Sequence, residues 1–318
     1  MGRALALSGQ QLKPNIKPDD RGCDEVNKFL GNKAAILLFI LPALLLYTVM
    51  VFYPILQTFI RSMYEWDGLT EGTFIWFDNY KALFQDSLFY TSVYNGLIFA
   101  AIITVTQIGI GSILAFAIAD AKFKGRKILR ISFFIPVVLS ITVVCQLWMS
   151  IYNGEYGLIN KVFEMLGLEY RQDWLTSSKT AIIAIAFVNA WQYMGYHFAL
   201  LLAGAKSVPE QYMEAARIDG ATKLQAIMKI NIPMMAETYK FCLVFAVTGG
   251  LNAFANMYIM TSGGPGTSTY TLTYLMYRSA FRVGEFGYGS AAAAILVIEC
   301  LIATLIINRL IARERISY

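Results

Sequence analysis

The sequence predicts an all-α integral membrane protein with six transmembrane helices. Of its 318 residues 57% are hydrophobic and only 15% are charged, against about 25% charged in an average soluble domain. The mean hydropathy is +0.53, and the apolar residues form blocks long enough to cross a bilayer, which needs about 20 helical residues. This balance excludes a disordered chain, a coiled coil and an ordinary cytosolic enzyme.

Six apolar blocks meet this length. The first contains Pro42, which membrane helices tolerate better than soluble helices do, and the third carries Pro136 near its start. A further segment between the third and fourth blocks, with apolar residues at helical spacing from Leu158 to Leu168, is too short to cross and is expected to lie at the membrane surface. The predicted spans are residues 33–56, 92–119, 128–152, 180–205, 239–260 and 288–308.

Lysine and arginine in the connecting segments predict the orientation. They are concentrated in the amino-terminal tail, after the second and fourth spans, and after the sixth. Because short cytoplasmic loops carry such an excess, both chain termini are expected in the cytoplasm. The expected organisation is a cytoplasmic tail (residues 1–32), a transmembrane domain (33–308) whose loop at 206–236 is cytoplasmic, and a second cytoplasmic tail (309–318).

The segment between the fourth and fifth spans predicts a first short helix. Ser207 and Glu210 have the spacing of a capping box, and Pro209 falls in the first turn, where its missing N–H costs nothing. Gly220 is expected to end this helix as a left-handed cap. One face of the helix carries Tyr212, Ala215, Ala216 and Asp219.

A second short helix is predicted directly after the first. Thr222 and Gln225 repeat the capping-box spacing, and the helix is expected to stop before Pro233. From these features alone, two interpretations are open. The loop is either an amphipathic hairpin at the membrane surface or a docking element for a cytoplasmic partner.

The residues EAARIDGATKLQAIMKINIP, positions 214–233, resemble the cytoplasmic loop of the permease subunits of ATP-binding-cassette (ABC) importers. In that family the first helix of the loop is the coupling helix, which sits in a cleft of the nucleotide-binding subunit. The resemblance implies that the coupling contact is made or shaped by Glu214, Ala215, Ala216 and Gly220, with Tyr212 and Asp219 on the same face or at its end.

The resemblance covers nearly the whole chain. Four more segments are similar, in the same order, to sugar permeases of the carbohydrate-uptake class: LPALLLYTVMVFYPI, FDNYKALF, GLINKVFEMLGL and SGGPGTSTYTLTYLMYRSAF. The class implies a second homologous permease, two ABC ATPase subunits and an extracytoplasmic solute-binding protein as partners, in a bacterial cell membrane. Longer maltose permeases carry a large extracytoplasmic insertion and two extra spans, so this chain looks like the shorter multiple-sugar or sugar-phosphate type.

The sequence holds no constellation typical of catalysis. No GxxxxGK[ST] phosphate-binding loop occurs, and His197 is the one histidine, so a two-histidine metal motif is impossible. The four cysteines lack metal-site and redox spacing. We therefore expect no catalytic residue, metal or cofactor on this chain, and the resemblance implies ATP and Mg²⁺ on the partner ATPases. The net charge of +5 is divided among loops, which argues against a nucleic-acid partner.

Amide and aromatic side chains within the fourth and fifth spans indicate a path for a neutral polyhydroxylated solute. Sugars present apolar C–H faces and hydroxyl edges, which aromatic rings and amides contact. An unpaired amide in hydrocarbon is costly, so each faces either another helix or a wet cavity, and both interpretations are open. The candidate residues are Asn189, Trp191, Gln192, Tyr196, Asn252 and Asn256.

Two alternative functions remain at this point. An anionic solute such as glycerol phosphate would require lysine or arginine inside the spans, whose interiors contain none. A membrane receptor or scaffold that signals through the loop is excluded only by the family resemblance. Glu299, the one acidic residue well inside a span, is expected to pair within the bundle or with the second permease.

Overall fold

The structure is a computed structural model that describes residues 33–119 and 125–311. The predicted tail at 1–32 and residues 312–318 of the second predicted tail lie outside the described residues. The described chain is mostly helical and divides into two units, one ending at Gln57 and one beginning at Thr58. In the first unit lie α1 (Lys33–Tyr47), a π-helical turn (Thr48–Phe52) and the start of α2 (Tyr53–Arg61).

The second unit contains the rest of the helices and one small hairpin. Strands β1 (Tyr64–Glu65) and β2 (Thr73–Phe74) pair antiparallel. Two further π-helical turns, Ile227–Asn231 and Arg278–Val283, interrupt the helical segments. The helices are α3 (Asp78–Gln85), α4 (Ser87–Ala119), α5 (Arg126–Val138), α6 (Ile141–Ile151), α7 (Leu158–Met165), α8 (Ala181–Ser207), α9 (Glu210–Ile218), α10 (Lys223–Ala226), α11 (Ile232–Met234), α12 (Ala236–Leu251), α13 (Ala255–Met260), α14 (Leu272–Tyr277) and α15 (Phe286–Leu310).

Helix α4 is central to the second unit, with α8 and α12 packed along it. Small residues make this close packing possible, as in other membrane helix bundles. A Cβ added at Gly250 of α12 would lie 2.7 Å from Cα of Ala100 on α4, so the two backbones are in near contact there. The helices around the candidate site are thus held at fixed separations.

The hairpin between α2 and α3 is held by a turn at Asp67. The Asp67 carboxylate accepts hydrogen bonds from the amides of Thr70 and Leu69 and from the Thr70 hydroxyl. Since these bonds stabilise the charged form, they hold the pKa of the Asp67 carboxyl below its ordinary value of 3.8. The amide of Gly287 donates to the carbonyl of Trp66 at 3.2 Å and ties the hairpin to α15.

Three of the predicted spans correspond to single long apolar helices. These are Ile36–Arg61, Ser87–Ala119 and Phe286–Leu310. The predicted fourth span is α8, which has 27 residues but lies outside that apolar set, because polar residues such as Asn189, Gln192 and His197 interrupt it. The short segment predicted between the third and fourth spans forms helix α7, and its place at the membrane surface stays a prediction.

The other two predicted spans are not continuous helices. The third consists of α5 and α6, which are bent by 102° at Leu139 and Ser140. Pro136 has no N–H to donate back along the helix, and Leu139 and Ser140 are in extended conformation. Within the described residues the structure therefore contains three membrane-length apolar helices, or up to five if each bent pair crosses as one span. A count of six stays a prediction.

The predicted fifth span breaks where the candidate site lies. Helix α12 ends at Leu251 with Asn252 as its cap, and α13 begins at Ala255. A separate bend of 73°, between Lys223–Met234 and α12, lies before the predicted span. The Ala253 carbonyl accepts a hydrogen bond from the Thr273 hydroxyl at 2.7 Å. This bond satisfies a backbone group in the break between α12 and α13.

Candidate functional site

The loop between α8 and α12 contains two short helices that meet at Gly220. Gly220 has φ +80°, which glycine adopts without strain. The amide of Ala221 donates to the carbonyl of Ala216 at 2.9 Å, and that of Gly220 to the carbonyl of Arg217 at 3.1 Å. This pair of bonds is a Schellman motif. The predicted left-handed cap is confirmed.

The second predicted capping box is confirmed, and the first is wrong. The Thr222 hydroxyl accepts from the amide of Gln225, while the Gln225 side chain accepts from the amide of Thr222. Ser207 instead ends α8, and its hydroxyl donates to the carbonyl of Gly204 at 2.8 Å. Helix α9 therefore begins after Pro209 with no side-chain cap.

The predicted end of the second helix before Pro233 is also wrong. The chain stays helical to Met234. A π-helical turn at Ile227–Asn231 precedes the proline, and Pro233 falls in the first turn of α11. Since the first N–H groups of a helix have no partner within it, the missing donor costs nothing there.

Helix α9 presents an exposed surface of mixed character. Of the six residues assigned to coupling, Ala216 is buried against the rest of the protein, whereas Tyr212, Glu214, Ala215, Asp219 and Gly220 are exposed. Ile218 is 86% exposed at the end of the same helix. An apolar side chain exposed beside charged ones is typical of a contact surface. Ile218 was not predicted from the sequence, because an apolar residue on the apolar face of a short helix is expected to be buried.

A cavity of about 430 Å³ opens between α4, α8 and the break after α12. Helix α8 contributes residues at positions i, i+4, i+7 and i+8, which share one helical face. None of the described side chains that line it is Asp, Glu, Lys or Arg. Its polar and aromatic lining is Gln107, Asn189, Tyr193, Tyr196, His197, Phe245, Asn252, Phe254 and Asn256.

A chain of buried amides crosses the wall of this cavity. Gln107 Nε2 donates to Asn189 Oδ1 at 3.5 Å, and Asn189 Nδ2 donates to Asn256 Oδ1 at 3.0 Å. Asn256 Nδ2 points to Cys145 Sγ at 3.8 Å. The chain joins α4, α8, α13 and α6. Asn189 and Asn256 therefore meet both expectations: each forms a contact between helices, and each lines the cavity.

The structure places two of the six predicted path residues outside the cavity. Gln192 is buried, and its amide donates to the Leu139 carbonyl at 3.1 Å, at the bend between α5 and α6. Trp191 packs edge to face against Trp148 at 5.6 Å between ring centroids, in the apolar core. Both side chains lie outside the cavity because the face of α8 that lines it carries Asn189, Tyr193, Tyr196 and His197.

Sequence reasoning missed three polar cavity residues. Tyr193 lies four residues after Asn189, and His197 lies eight after it, so a helical projection centred on Asn189 would have found both. His197 was not assigned to the solute path from the sequence. It is buried and stacks on Phe245 at 5.4 Å, and it also lines the cavity. Gln107 could have been found as an amide inside the second predicted span, where a polar side chain is costly unless it has a partner.

Over residues 33–119 and 125–311, no group of three or more His, Cys, Asp or Glu side chains is arranged to hold a metal ion.

Tyr196 and Asn252 are exposed at the cavity, and the Asn252 amide donates to the Thr248 carbonyl at 2.9 Å and to Cys300 Sγ. The site is thus an uncharged, amide- and aromatic-lined cavity open to a solute.

Comparison with known proteins identifies the class. Residues 107–316 match the family described as "binding-protein-dependent transport system inner membrane component". The chain belongs to this family. It is 36% identical over 277 residues to the probable ABC transporter permease protein YurN of Bacillus subtilis, covering 86% of this chain and 94% of that protein.

A second relative and a solved structure agree. The chain is 34% identical over 262 residues to the multiple sugar-binding transport system permease protein MsmF of Streptococcus mutans, covering 82% of this chain and 89% of that one. The chain shares its fold with a chain of a bacterial ABC transporter involved in the import of the acidic polysaccharide alginate. The TM-score is 0.76 at 21% sequence identity, and the match covers 94% of this chain and 100% of the other. The resemblance to ABC permeases of the carbohydrate-uptake class is confirmed, and the chain is a multi-pass membrane permease.

Proposed function

We propose that the chain is one of two permease subunits of an ATP-driven importer, and that it conducts a neutral sugar or short oligosaccharide. The observation that carries this proposal is the cavity, whose described lining combines amides with aromatic rings and includes no Asp, Glu, Lys or Arg. Amides match the hydroxyl edges of a sugar, and rings match its C–H faces. An anionic solute would leave its charge without a partner there.

The proposed arrangement in the membrane has six spans with both termini in the cytoplasm. The excess of Lys and Arg in alternate segments supports it. α8 supplies one of the spans, the bent pair of α5 and α6 supplies another, and α12 with α13 supplies the fifth. The loop between α8 and α12 then lies in the cytoplasm, in a bacterial cell membrane.

We assign the cytoplasmic contact with an ATPase subunit to the exposed surface of α9. Glu214, Ala215 and Ile218 offer charged, small and apolar groups, and Ala216 holds the helix against the permease. ATP and Mg²⁺ bind the ATPases, so this chain needs no cofactor and catalyses no reaction. Closure of the two ATPases moves α9, and the Schellman motif at Gly220 passes the movement to α10 and α12. A soluble binding protein delivers the sugar on the other side.

The test begins with the transporter as it exists in its membrane. A tagged chain purified in mild detergent should carry a second permease and an ATPase, identified by mass spectrometry. In proteoliposomes the assembly should take up neutral sugars with ATP and a binding protein, and should not take up their uronic-acid counterparts. A chain that purifies alone in several detergents, or an assembly that prefers the acidic sugars, contradicts the proposal.

The coupling assignment has its own variant. Glu214→Lys should abolish ATP-dependent uptake while the chain stays in the membrane, because it reverses a charge on the exposed face of α9. Glu164→Lys makes the same change at an exposed position of α7, on the side proposed to face away from the ATPases. Its uptake should match that of the parent. Equal uptake by both variants would remove Glu214 from the contact.

A further inference from the structure

A second cavity lies between α5 and α8 and shares no lining residue with the solute site. It is a groove of about 560 Å³. Its walls are almost wholly apolar: Ile131, Phe134, Ile135, Val138, Phe198, Ala199, Leu202 and Ala203. Two cations, Arg130 and Lys206, complete the lining, and no acid is among the described residues that form it.

The two cations lie at the same end of the groove. Arg130 is in the second turn of α5, and Lys206 is one residue from the end of the antiparallel α8. The apolar residues extend from them towards the middle of both helices. The groove therefore has a positively charged mouth at the end of the bundle where α8 enters the loop, followed by an apolar channel.

Neither cation has an acidic partner among the described residues. Across residues 33–119 and 125–311, the ion pairs found do not include Arg130 or Lys206. Arg130 Nε is shielded from solvent and has no hydrogen-bond acceptor there. A buried donor without an acceptor is destabilising, and an anion at the mouth of the groove would supply the missing acceptor.

We propose that this groove binds one anionic phospholipid. The phosphate of the headgroup lies between Arg130 and Lys206 and accepts a hydrogen bond from Arg130 Nε, and an acyl chain follows the apolar walls. Charge complementarity selects this occupant, since the groove combines two unpaired cations with a long apolar wall. A basic recess between helices at the membrane–water boundary is suited to an anionic headgroup. The inference is independent of which solute the permease conducts.

The experiment titrates the purified transporter, with its partner subunits, with phosphatidylglycerol and with phosphatidylcholine. Native mass spectrometry counts the lipids that remain bound. Phosphatidylglycerol should be retained at one site per chain, in preference to phosphatidylcholine. The double variant Arg130→Gln with Lys206→Gln should weaken this binding about 10- to 30-fold, since each charge near a headgroup contributes roughly fivefold. The single variant Lys206→Gln, at an exposed position, should weaken it about fivefold without affecting folding.

A matched control removes two other positive charges from the same helix. Arg126 and Lys127 are exposed at the start of α5 and do not line the groove. The variant with both changed to Gln should bind phosphatidylglycerol within twofold of the parent. Equal losses in the two double variants would show general surface attraction and overturn the site, as would undiminished binding after loss of Arg130 and Lys206.

A photoreactive phosphatidylglycerol tests the acyl-chain half of the groove. Cross-links should map to the groove residues of α5 and α8, and Ala203→Trp should abolish them by filling the groove while both cations stay. Cross-links that map only elsewhere, or that persist in Ala203→Trp, overturn the proposal. Protection of Ala203 by the second permease subunit in the purified assembly would also overturn it. Uptake of neutral sugars is measured on the same preparation, so failure of the lipid site is separable from failure of the transport proposal.

Discussion

The side-chain amide of Asn189 donates to the side-chain carbonyl of Asn256 at 3.0 Å, and this bond joins α8 to the short helix that follows the break in the fifth predicted span. Both residues also line the solute cavity. The same amides that stabilise the break therefore face the solute. Solute binding and the geometry of the break are expected to depend on each other.

Asn256→Ala tests this dependence. The change leaves Asn189 Nδ2 buried without an acceptor, which should lower stability by about 1–2 kcal/mol. It should also alter the order in which sugars are taken up. Thermal melting and uptake of a panel of neutral sugars measure the two effects.

Asn252→Ala is the matched control for Asn256. Asn252 lines the same cavity but is exposed and lies outside the chain of buried amides. Its replacement should change sugar uptake and leave the melting temperature nearly unchanged. If Asn256→Ala takes up every sugar as the parent does, Asn256 is only a structural residue.

Substitutions at Gly220 test the role of its backbone conformation without creating new side-chain contacts. A Cβ at Gly220 would meet nothing within 4 Å, so a substitution there is strained only by the φ of +80°. Gly220→Val should cost about 1–2 kcal/mol locally and uncouple ATP hydrolysis from uptake. Gly220→Asn should retain most coupling, because asparagine tolerates the left-handed region. The ratio of sugar transported to ATP hydrolysed is the readout, and equal ratios in both variants would show that the Schellman motif has no part in coupling.

The adjacent glycines of α12 give a test of packing. Gly250→Ala places a Cβ 2.7 Å from Cα of Ala100, and the helices must separate at a cost of about 1–3 kcal/mol. Gly249→Ala meets open space and should be neutral or stabilising by up to about 1 kcal/mol, because alanine favours a helix. Melting curves of the two variants in detergent should differ clearly. Equal curves would contradict the close approach of α4 and α12.

A substitution at Gln192 tests whether this residue stabilises the bend between α5 and α6 or lines the solute path. Gln192→Met keeps the length of the side chain but loses the hydrogen bond to the Leu139 carbonyl, with an expected cost of about 1–2 kcal/mol. Relative uptake of different sugars should stay the same, since Gln192 lies outside the cavity. A changed sugar preference with unchanged stability would return Gln192 to the solute path.

The predictions made from the sequence succeeded where a local pattern has one structural solution. The long apolar segments gave helices at 36–61, 87–119 and 286–310. Thr222 with Gln225, and Gly220, produced the predicted cap and turn, because these motifs depend only on residues within a few positions of each other. Ser207 with Glu210 failed because α8 continues to Ser207, whose hydroxyl bonds back to the Gly204 carbonyl instead of accepting from an amide of the next helix.

The breaks in the third and fifth predicted spans could not be read from hydropathy. A run of apolar residues gives the same average whether the helix is straight or bent. What stabilises these breaks comes from distant parts of the chain: the Gln192 amide at Leu139 and the Thr273 hydroxyl at Ala253. Such bonds become possible only after the helices pack.

The sequence by itself determined that this is a helical membrane protein with a capped helical turn at Gly220, since composition and short-range motifs depend on the order of residues alone. Its segments also carry the resemblance to ABC-importer permeases, which the family match confirms. Only the tertiary structure decided which polar residues form the cavity. Asn189 and Asn256 meet across 67 positions, Gln107 joins them, and Gln192 is directed to a bend instead. Those assignments depend on the rotation of each helix about its axis, which is fixed by packing against its neighbours rather than by its own residues.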